Sequence, residues 1–415
     1  MREYYDDLET LDPELRETAL FAALPGHIAH AKANAPFFSE RLADVDPEAI
    51  TDRAALARLP VTRKSLLGDL QNSLPPFGGL TAVSTGDIKR IFSSPGPIYE
   101  PQGSAPDHWR LARALHAAGF RKGDLIHNCF SFHFTPAGAM LESAAHAMGC
   151  TTFPGGTGYT EGQAGAMADL RPAGYVGTPS FLRIILDKAR EEDVDVSSVT
   201  KALVSGEALP QALRAAITEY GVDVLQCYAT AELGLIAYET RGPQGPYEGM
   251  VIAEDIIVEI VTPGTGDPVA EGETGEVVVT VPTVEYPLIR FATGDLSAHL
   301  PGLSPCGRSN ARIKGWMGRA DQSTKVKGMM VRPEQIAEVV ALFDAVSKGR
   351  LIIERVEGVD VMTLNCEVAT ESEGLADALA SALRKQCRLK GCIALVPTGS
   401  LANDGKIIDD RRELA

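Results

Sequence analysis

Apolar residues recur at three- and four-residue spacing early in the chain, at Leu15, Ala19, Leu20, Ala23, Ile28 and Ala31. That spacing predicts helical structure over residues 1–50, with Ala35-Pro36-Phe37-Phe38 ending the stretch. Residues 75–105 are rich in Gly, Pro and Ser and read as loop around a short strand. A helix is expected over 106–119, with Trp109, Ala112, Leu115 and His116 on one face. Short apolar runs then alternate with helical patterns. Strands are predicted at 124–130, 150–153, 175–177, 202–204 and 222–227, with helices at 136–148, 161–170, 180–192 and 210–220. This alternation predicts a mostly parallel sheet covered by helices. After residue 250 the period changes, and the β-branched runs at 255–261 and 275–281 read as antiparallel strands. Residues 315–328 are rich in glycine and charge and read as a hinge. The remainder predicts a compact unit: a hairpin, a helix over 333–343, strands at 351–355 and 361–368, a helix over 374–387 and a strand at 393–396.

Composition narrows the function classes. A chain of 415 residues suggests two to four domains, or one large domain with a smaller one attached. Hydrophobic residues at 45% and charged residues at 23% fit a folded globular protein and not a disordered one. The net charge of −16 argues against a nucleic-acid partner, which needs a basic surface, but leaves room for a local basic pocket. No run approaches the roughly 18–20 apolar residues of a membrane span, and the acidic start argues against a secretory signal. Seven scattered cysteines without a CxxC suit a reduced, cytoplasmic protein.

Four Gly-containing turns come after predicted strands: Ser93-Ser94-Pro95-Gly96-Pro97, Gly155-Gly156-Thr157-Gly158, Ser205-Gly206-Glu207 and Tyr228-Ala229-Thr230-Ala231-Glu232. Any one alone reads as a tight turn. Together they fit the carboxyl ends of strands in an open α/β sheet, where ligands bind. Three further stretches lie late: Tyr286 to Asp295, Gly318-Arg319-Ala320-Asp321, and Asn403-Asp404-Gly405-Lys406.

In order, spacing and residue type these stretches resemble the adenylate-forming superfamily, and more narrowly the phenylacetate–CoA ligase family. The likeness runs nearly end to end. Ala35 to Phe38, Leu59-Pro60-Val61-Thr62-Arg63-Lys64 and Gly119 to Asp124 resemble N-terminal signatures of that family. Gly177-Thr178-Pro179-Ser180 resembles its gTPS, and Ser205 to Glu207 its gGE. Tyr228 to Glu232 resembles YGxTE, and Pro287 to Asp295 resembles PliRYxTGD. Gly318 to Gly328 resembles GRxDDmlxxrG, and Val331 to Ile336 and Gly405 to Arg411 resemble the terminal signatures.

The resemblance implies an adenylate-forming α/β fold, with a large domain over 1–318 and a small mobile α+β domain over 319–415. It implies an ATP-dependent ligase that activates an aromatic, phenylacetate-like carboxylic acid as an acyl-adenylate and passes it to coenzyme A. Glu232 would hold Mg2+, a hard cation that prefers oxygen ligands. Asp295 would accept from the ribose hydroxyls, Tyr228 would face adenine, and Arg319 would bind ribose or phosphate. Ser93, Ser94, Gly206, Glu207 and Ala229 would complete the nucleotide site. Lys406, with Glu232, would be catalytic, reaching the carboxylate and the α-phosphate together. Phe132, His133, Phe134 and Gly156 would line the acyl pocket, although the aromatic cluster Phe130–Phe134 reads equally well as core packing. The small aromatic acid and coenzyme A are the implied partners, and a homodimer is left open.

The chain also departs from the pattern. Where the family has SSGTTGkPT, this sequence has Ser93-Ser94-Pro95-Gly96-Pro97-Ile98-Tyr99-Glu100. Two threonines and a lysine are lost, Pro95 and Pro97 carry no N–H, and Glu100 adds negative charge. Ala229, Ala231 and Gln322 replace the glycine, the threonine and the second aspartate of their motifs. Of the family's Cys/His set only Cys306 remains, so a structural zinc is not expected. Three readings stand: a working ligase, a relative that binds an adenylate or thioester and performs acyl transfer without adenylation, and a non-catalytic binding protein. The retained Lys406 argues against the third, and the family likeness favours the first.

Overall fold

The computed structural model describes residues 3–412 except 96, 321, 357, 371 and 402–405. The expected hinge residue Asp321, and Gly96 and Gly405 of the motifs, therefore lie outside the described residues. The chain divides into two compact units, one running to Trp316 and one from Met317 to Leu414.

The larger unit opens on the helix Pro13–Asn34, where the Asp12 carboxylate accepts from the Glu14 and Leu15 amides at 2.9 and 3.2 Å. A carboxylate there satisfies amides that have no partner within the helix. The helix expected over 106–119 is shorter, Ala112–Ala117. Arg110 takes a left-handed conformation (φ 63°), and the Asp107 carboxylate caps the amides of Leu111 and Ala112, so the helix starts only there.

The central sheet has nine strands. Thr151–Phe153, Leu125–Asn128, Gly174–Gly177, Lys201–Val204 and Asp223–Thr230 run parallel, as the alternation predicts. Short helices connect the strands: Ala137–Ala147, Thr160–Leu170, Pro179–Glu191 and Gln211–Thr218. Gly234–Tyr238 then turns back antiparallel on Asp223–Thr230, with Met250–Ile252, Arg312–Ile313 and His299–Leu300 next across the sheet.

A second sheet joins Ile257–Val261, Gly275–Val281, Leu288–Ser297 and the two-residue strand Thr62–Arg63. All seven residues of Gly275–Val281 are buried, which explains an unbroken β-branched run in place of alternation. The hydrophobic pattern does not predict Leu288–Ser297. That strand pairs with Gly275–Val281 through two register shifts that interrupt its period. Arg290, in this strand, is 1% exposed and donates to Glu259 Oε2 at 3.0 Å and to the carbonyls of Ala57, Leu59 and Gly266. It fastens the segment before Thr62 to the sheet.

The smaller unit packs Pro333–Ala341 and Leu375–Cys387 on a sheet ordered Cys392–Pro397, Val359–Val368, Val346–Val356, Ile408–Asp410. The pattern does not predict its last strand, Ile408–Asp410. Among the described residues no helix is long and apolar enough to cross a membrane.

Candidate active site

In the larger unit, the parallel strands deliver most of the sequence-selected turns to one end of the sheet. Phe130–Phe134 comes after Leu125–Asn128, Gly155–Gly158 after Thr151–Phe153, Ser205–Glu207 after Lys201–Val204, and Tyr228–Glu232 spans the end of Asp223–Thr230. Carboxyl ends of adjacent parallel strands form the crevice that this sheet class uses for ligands.

Tyr228 and Asp295 meet. The Tyr228 ring is 8% exposed, and its hydroxyl donates to Asp295 Oδ2 at 2.8 Å. Trp316 Nε1 donates to the other oxygen, Oδ1, at 3.0 Å, and Thr293 Oγ1 accepts from the Asp295 amide. Each carboxylate oxygen has two lone pairs and can accept more than one hydrogen bond. The motifs do not single out Trp316. Its one signal is rarity, since the chain has only two tryptophans.

Glu232 is buried just past the end of its strand, and Lys64 Nζ lies 2.8 Å from its Oε1 and 3.1 Å from its Oε2. Lys64 arrives from far away in sequence. Thr62 and Arg63 pair in parallel with Phe291 and Ala292, on the strand that also carries Asp295. Lys64 stands inside a signature stretch that assigns it no role. Only the strand pairing gives it one.

The phosphate loop is the turn of a hairpin, Arg90–Ser94 with Ile98–Gln102. Glu100 is fully buried in its second strand and accepts from the Ser94 amide at 3.1 Å and from the Ser94 hydroxyl. Burial first, and then the Glu232 carboxylate, push Glu100 up to about 8, against the lowering effect of Ser94 and Lys64. Among the described residues the buried Tyr286 hydroxyl has no hydrogen-bond partner. Burial, with smaller contributions from Glu232 and Glu100, holds it well above the usual tyrosine range. The Ser93 amide donates to the Phe134 carbonyl at 2.8 Å, which ties the loop to the aromatic stretch.

The aromatic residues divide by environment. Phe130 is buried, Phe132 half-buried, and Phe134 is 81% exposed in a left-handed conformation (φ 61°). His133 is exposed, and its amide and carbonyl both bond the Ser131 hydroxyl. Gly156 donates to the Asn128 carbonyl, and Gln163 Nε2 donates to the carbonyls of Gly155, Gly156 and Gly158. Gln163 thus braces the glycine turn, a role with no sequence signal. Gly206 has φ 82°, while Glu207 accepts from the Ser180 amide at 2.6 Å, at the start of Pro179–Glu191. Ala229 is half-buried beside Tyr228.

Arg319 and Lys406 belong to the smaller unit. Lys406 is exposed, with Nζ 3.7 Å from Asp409 Oδ1, and its carbonyl accepts from Arg350 Nε at 3.1 Å. Gln322, which replaces the second aspartate of its motif, accepts from the Ile407 amide at 2.7 Å and from Ile408. An aspartate is one methylene shorter; the glutamine anchors the segment next to Lys406.

Comparison with known proteins gives this arrangement a family. Residues 116–285 match the AMP-binding enzyme family. The chain is 30% identical over 383 residues to a phenylacetate–coenzyme A ligase of Thermus thermophilus, covering 88% of this chain and 84% of that one. It is 28% identical over 425 residues to the phenylacetate–coenzyme A ligase of Escherichia coli, covering 97% and 94%. Among solved structures it is similar to 2-hydroxyisobutyryl-CoA ligase in complex with 2-HIB-AMP and CoA, with a TM-score of 0.82 and 24% identity over 100% of this chain and 93% of that one. It is also similar to the amide bond synthetase McbA of Marinactinospora thermotolerans, with a TM-score of 0.55 and 15% identity over 93% and 92%. These structural likenesses show the adenylate-forming fold. With the sequence relatives spanning most of both chains, the protein belongs to the phenylacetate–CoA ligase family of the adenylate-forming superfamily and is an AMP-forming acid–CoA ligase.

Proposed function

We propose that the acid is aromatic and phenylacetate-like, and that it is activated on the larger unit by the residues at the carboxyl ends of its parallel strands. The observation that carries this reading is the convergence of Tyr228 and Asp295 in one hydrogen-bonded pair, on the sheet end that also carries the aromatic stretch. Asp295 receives the ribose hydroxyls, and Tyr228 and Trp316 fix its orientation. Glu232 takes Mg2+. The fit is chemical: Glu232 is a buried carboxylate at the strand end, and its oxygens are the donors a hard cation prefers. Phe132 and Phe134 bound the acyl group, supported by the fastening of Phe134 to the nucleotide loop. The names of the sequence relatives support the same substrate class.

The reaction has two steps. The carboxylate attacks the α-phosphorus and expels pyrophosphate, giving acyl-AMP; the CoA thiol then displaces AMP and gives the thioester. Positioning and stabilisation of charge on phosphate account for the catalysis, and no side-chain nucleophile is required. Lys406 acts in the first step, neutralising charge as the carboxylate meets the α-phosphate. The test is pyrophosphate release with a panel of aryl and short acyl acids, with and without CoA. Release with phenylacetate-like acids above short acyl acids, and thioester formed only with CoA, is the expected result. Preference for a short acyl acid overturns the aromatic assignment. Acyl transfer from supplied acyl-AMP with no pyrophosphate release from ATP favours the transfer-only reading.

A further inference from the structure

A phosphate loop works by presenting backbone amides and hydroxyls that have no other partner. In this chain the described residues from 93 to 97 have none to present from the backbone. The Ser93 amide is bonded to the Phe134 carbonyl, and the Ser94 amide to Glu100 Oε2. Pro95 and Pro97 have no N–H. The Ser94 hydroxyl donates to Glu100 Oε1. Glu100 is fully buried and is held by its place in the hairpin, opposite Phe92. Gln71 clamps the other side of the same strand, through Nε2 to the Tyr99 carbonyl and Oε1 from the Tyr99 amide, both at 2.8 Å.

From this geometry we infer that Glu100 determines how strongly the enzyme takes a triphosphate: its carboxylate occupies both Ser94 donors and has to withdraw before the β- and γ-phosphates can use them. Glu100 is a specificity-determining residue of the ligase reaction. It sets ATP against AMP and acyl-AMP, which bring no β- or γ-phosphate to the loop. Lys64 lies 2.8 Å from Glu232 Oε1, and its lowering effect on Glu100 is smaller than the raising effects of burial and of Glu232. The charges around the loop's inner face are thus Glu100, Glu232 and Lys64, with the Tyr286 hydroxyl beside them. Each Ser94 donor meets its own oxygen of Glu100 inside the fold, so the latch competes with an incoming phosphate oxygen.

The inference rests on the ligase reading, and its test separates the two. Binding of ATP and of AMP, each with Mg2+, is measured by calorimetry on the full chain, for the parent, Glu100→Gln and Glu100→Ala. Glutamine keeps the shape but offers one acceptor oxygen in place of two, so it releases a Ser94 donor and decides the matter if the alanine variant does not fold. The expected result is ATP bound about ten- to a hundredfold more tightly in the variants, the range of a hydrogen bond to a charged group. AMP affinity stays within about twofold of the parent, since AMP does not reach the loop. A merely structural role for Glu100 would move both nucleotides together. ATP binding that is unchanged or weaker in Glu100→Gln, with AMP binding intact, overturns the inference. If the parent binds neither ATP nor AMP, the ligase reading fails and this inference fails with it.

Discussion

Two side chains carry contrasting lessons at the scale of single residues. Asp295 accepts from Tyr228 on one oxygen and from Trp316 on the other, so its carboxylate is oriented before any ligand arrives. Lys406 is the opposite case. It is exposed, and its ion pair with Asp409 at 3.7 Å is long, so it contributes little to stability. The role we propose for it is kinetic: it would neutralise charge when a carboxylate and the α-phosphate, both anionic, approach. Removing one preorganised contact of that kind typically costs about 10²–10³ in rate. Lys406→Ala is therefore expected to slow acyl-AMP formation by about that factor, to leave thioester formation from supplied acyl-AMP nearly intact, and to melt with the parent. Adenylation at the parent rate would show that the motif likeness misassigns this position. Most residues of this site are legible in the sequence, because the motifs fix their order. Lys64 and Gln163 are not, because their roles come from strand pairing and loop bracing across the fold.

At the scale of elements, the turn between Asp223–Thr230 and Gly234–Tyr238 positions Glu232. Gly234 has φ +73°, and a Cβ there would sit 2.6 Å from the Trp109 carbonyl oxygen and 2.8 Å from its Cα. The Leu235 amide donates to that same carbonyl, so the backbone cannot move away without losing the bond. Gly234→Ala combines overpacking with a left-handed conformation and should destabilise the larger unit by roughly 2–4 kcal/mol. It should also weaken ATP·Mg2+ binding through displacement of Glu232, two residues away. A variant that melts with the parent would show that the turn is not so constrained. The elements that the pattern locates best, such as Pro179–Glu191 and Leu375–Cys387, have continuous periodicity and their own polar faces. Those it misses, Gly234–Tyr238 and Leu288–Ser297, are almost wholly buried and so show no alternation of apolar and polar residues.

For the whole molecule, burial sets the response to pH. His27, His108 and His116 are each pushed down to about 4, in each case chiefly by burial. Between the ordinary value of 6.5 and about 4 the unfolded chain binds protons at these sites and the native chain does not. Stability therefore falls as pH drops through that window. Glu254, up to about 7, and Glu100, up to about 8, act in the other direction. Their native forms hold protons above the ordinary 4.5, so their contribution is lost as pH rises towards 7–8. Melting temperature measured from pH 4 to 9 should pass through a maximum near pH 6.5, and His108→Gln should flatten the acid limb. For a buried group, a shift of that size is worth on the order of 3 kcal/mol. An acid limb as steep in His108→Gln as in the parent would remove His108 from this account. The sequence by itself determined the family, the α/β alternation and the order of the site motifs, because periodicity and turn residues are local properties of the chain. Only the tertiary structure decided that Lys64 meets Glu232, that Trp316 donates to Asp295 and that Glu100 accepts from Ser94. These contacts join segments far apart in the chain, or turn on which way a buried carboxylate faces, and their physical cause is burial, which makes an unpartnered polar group costly.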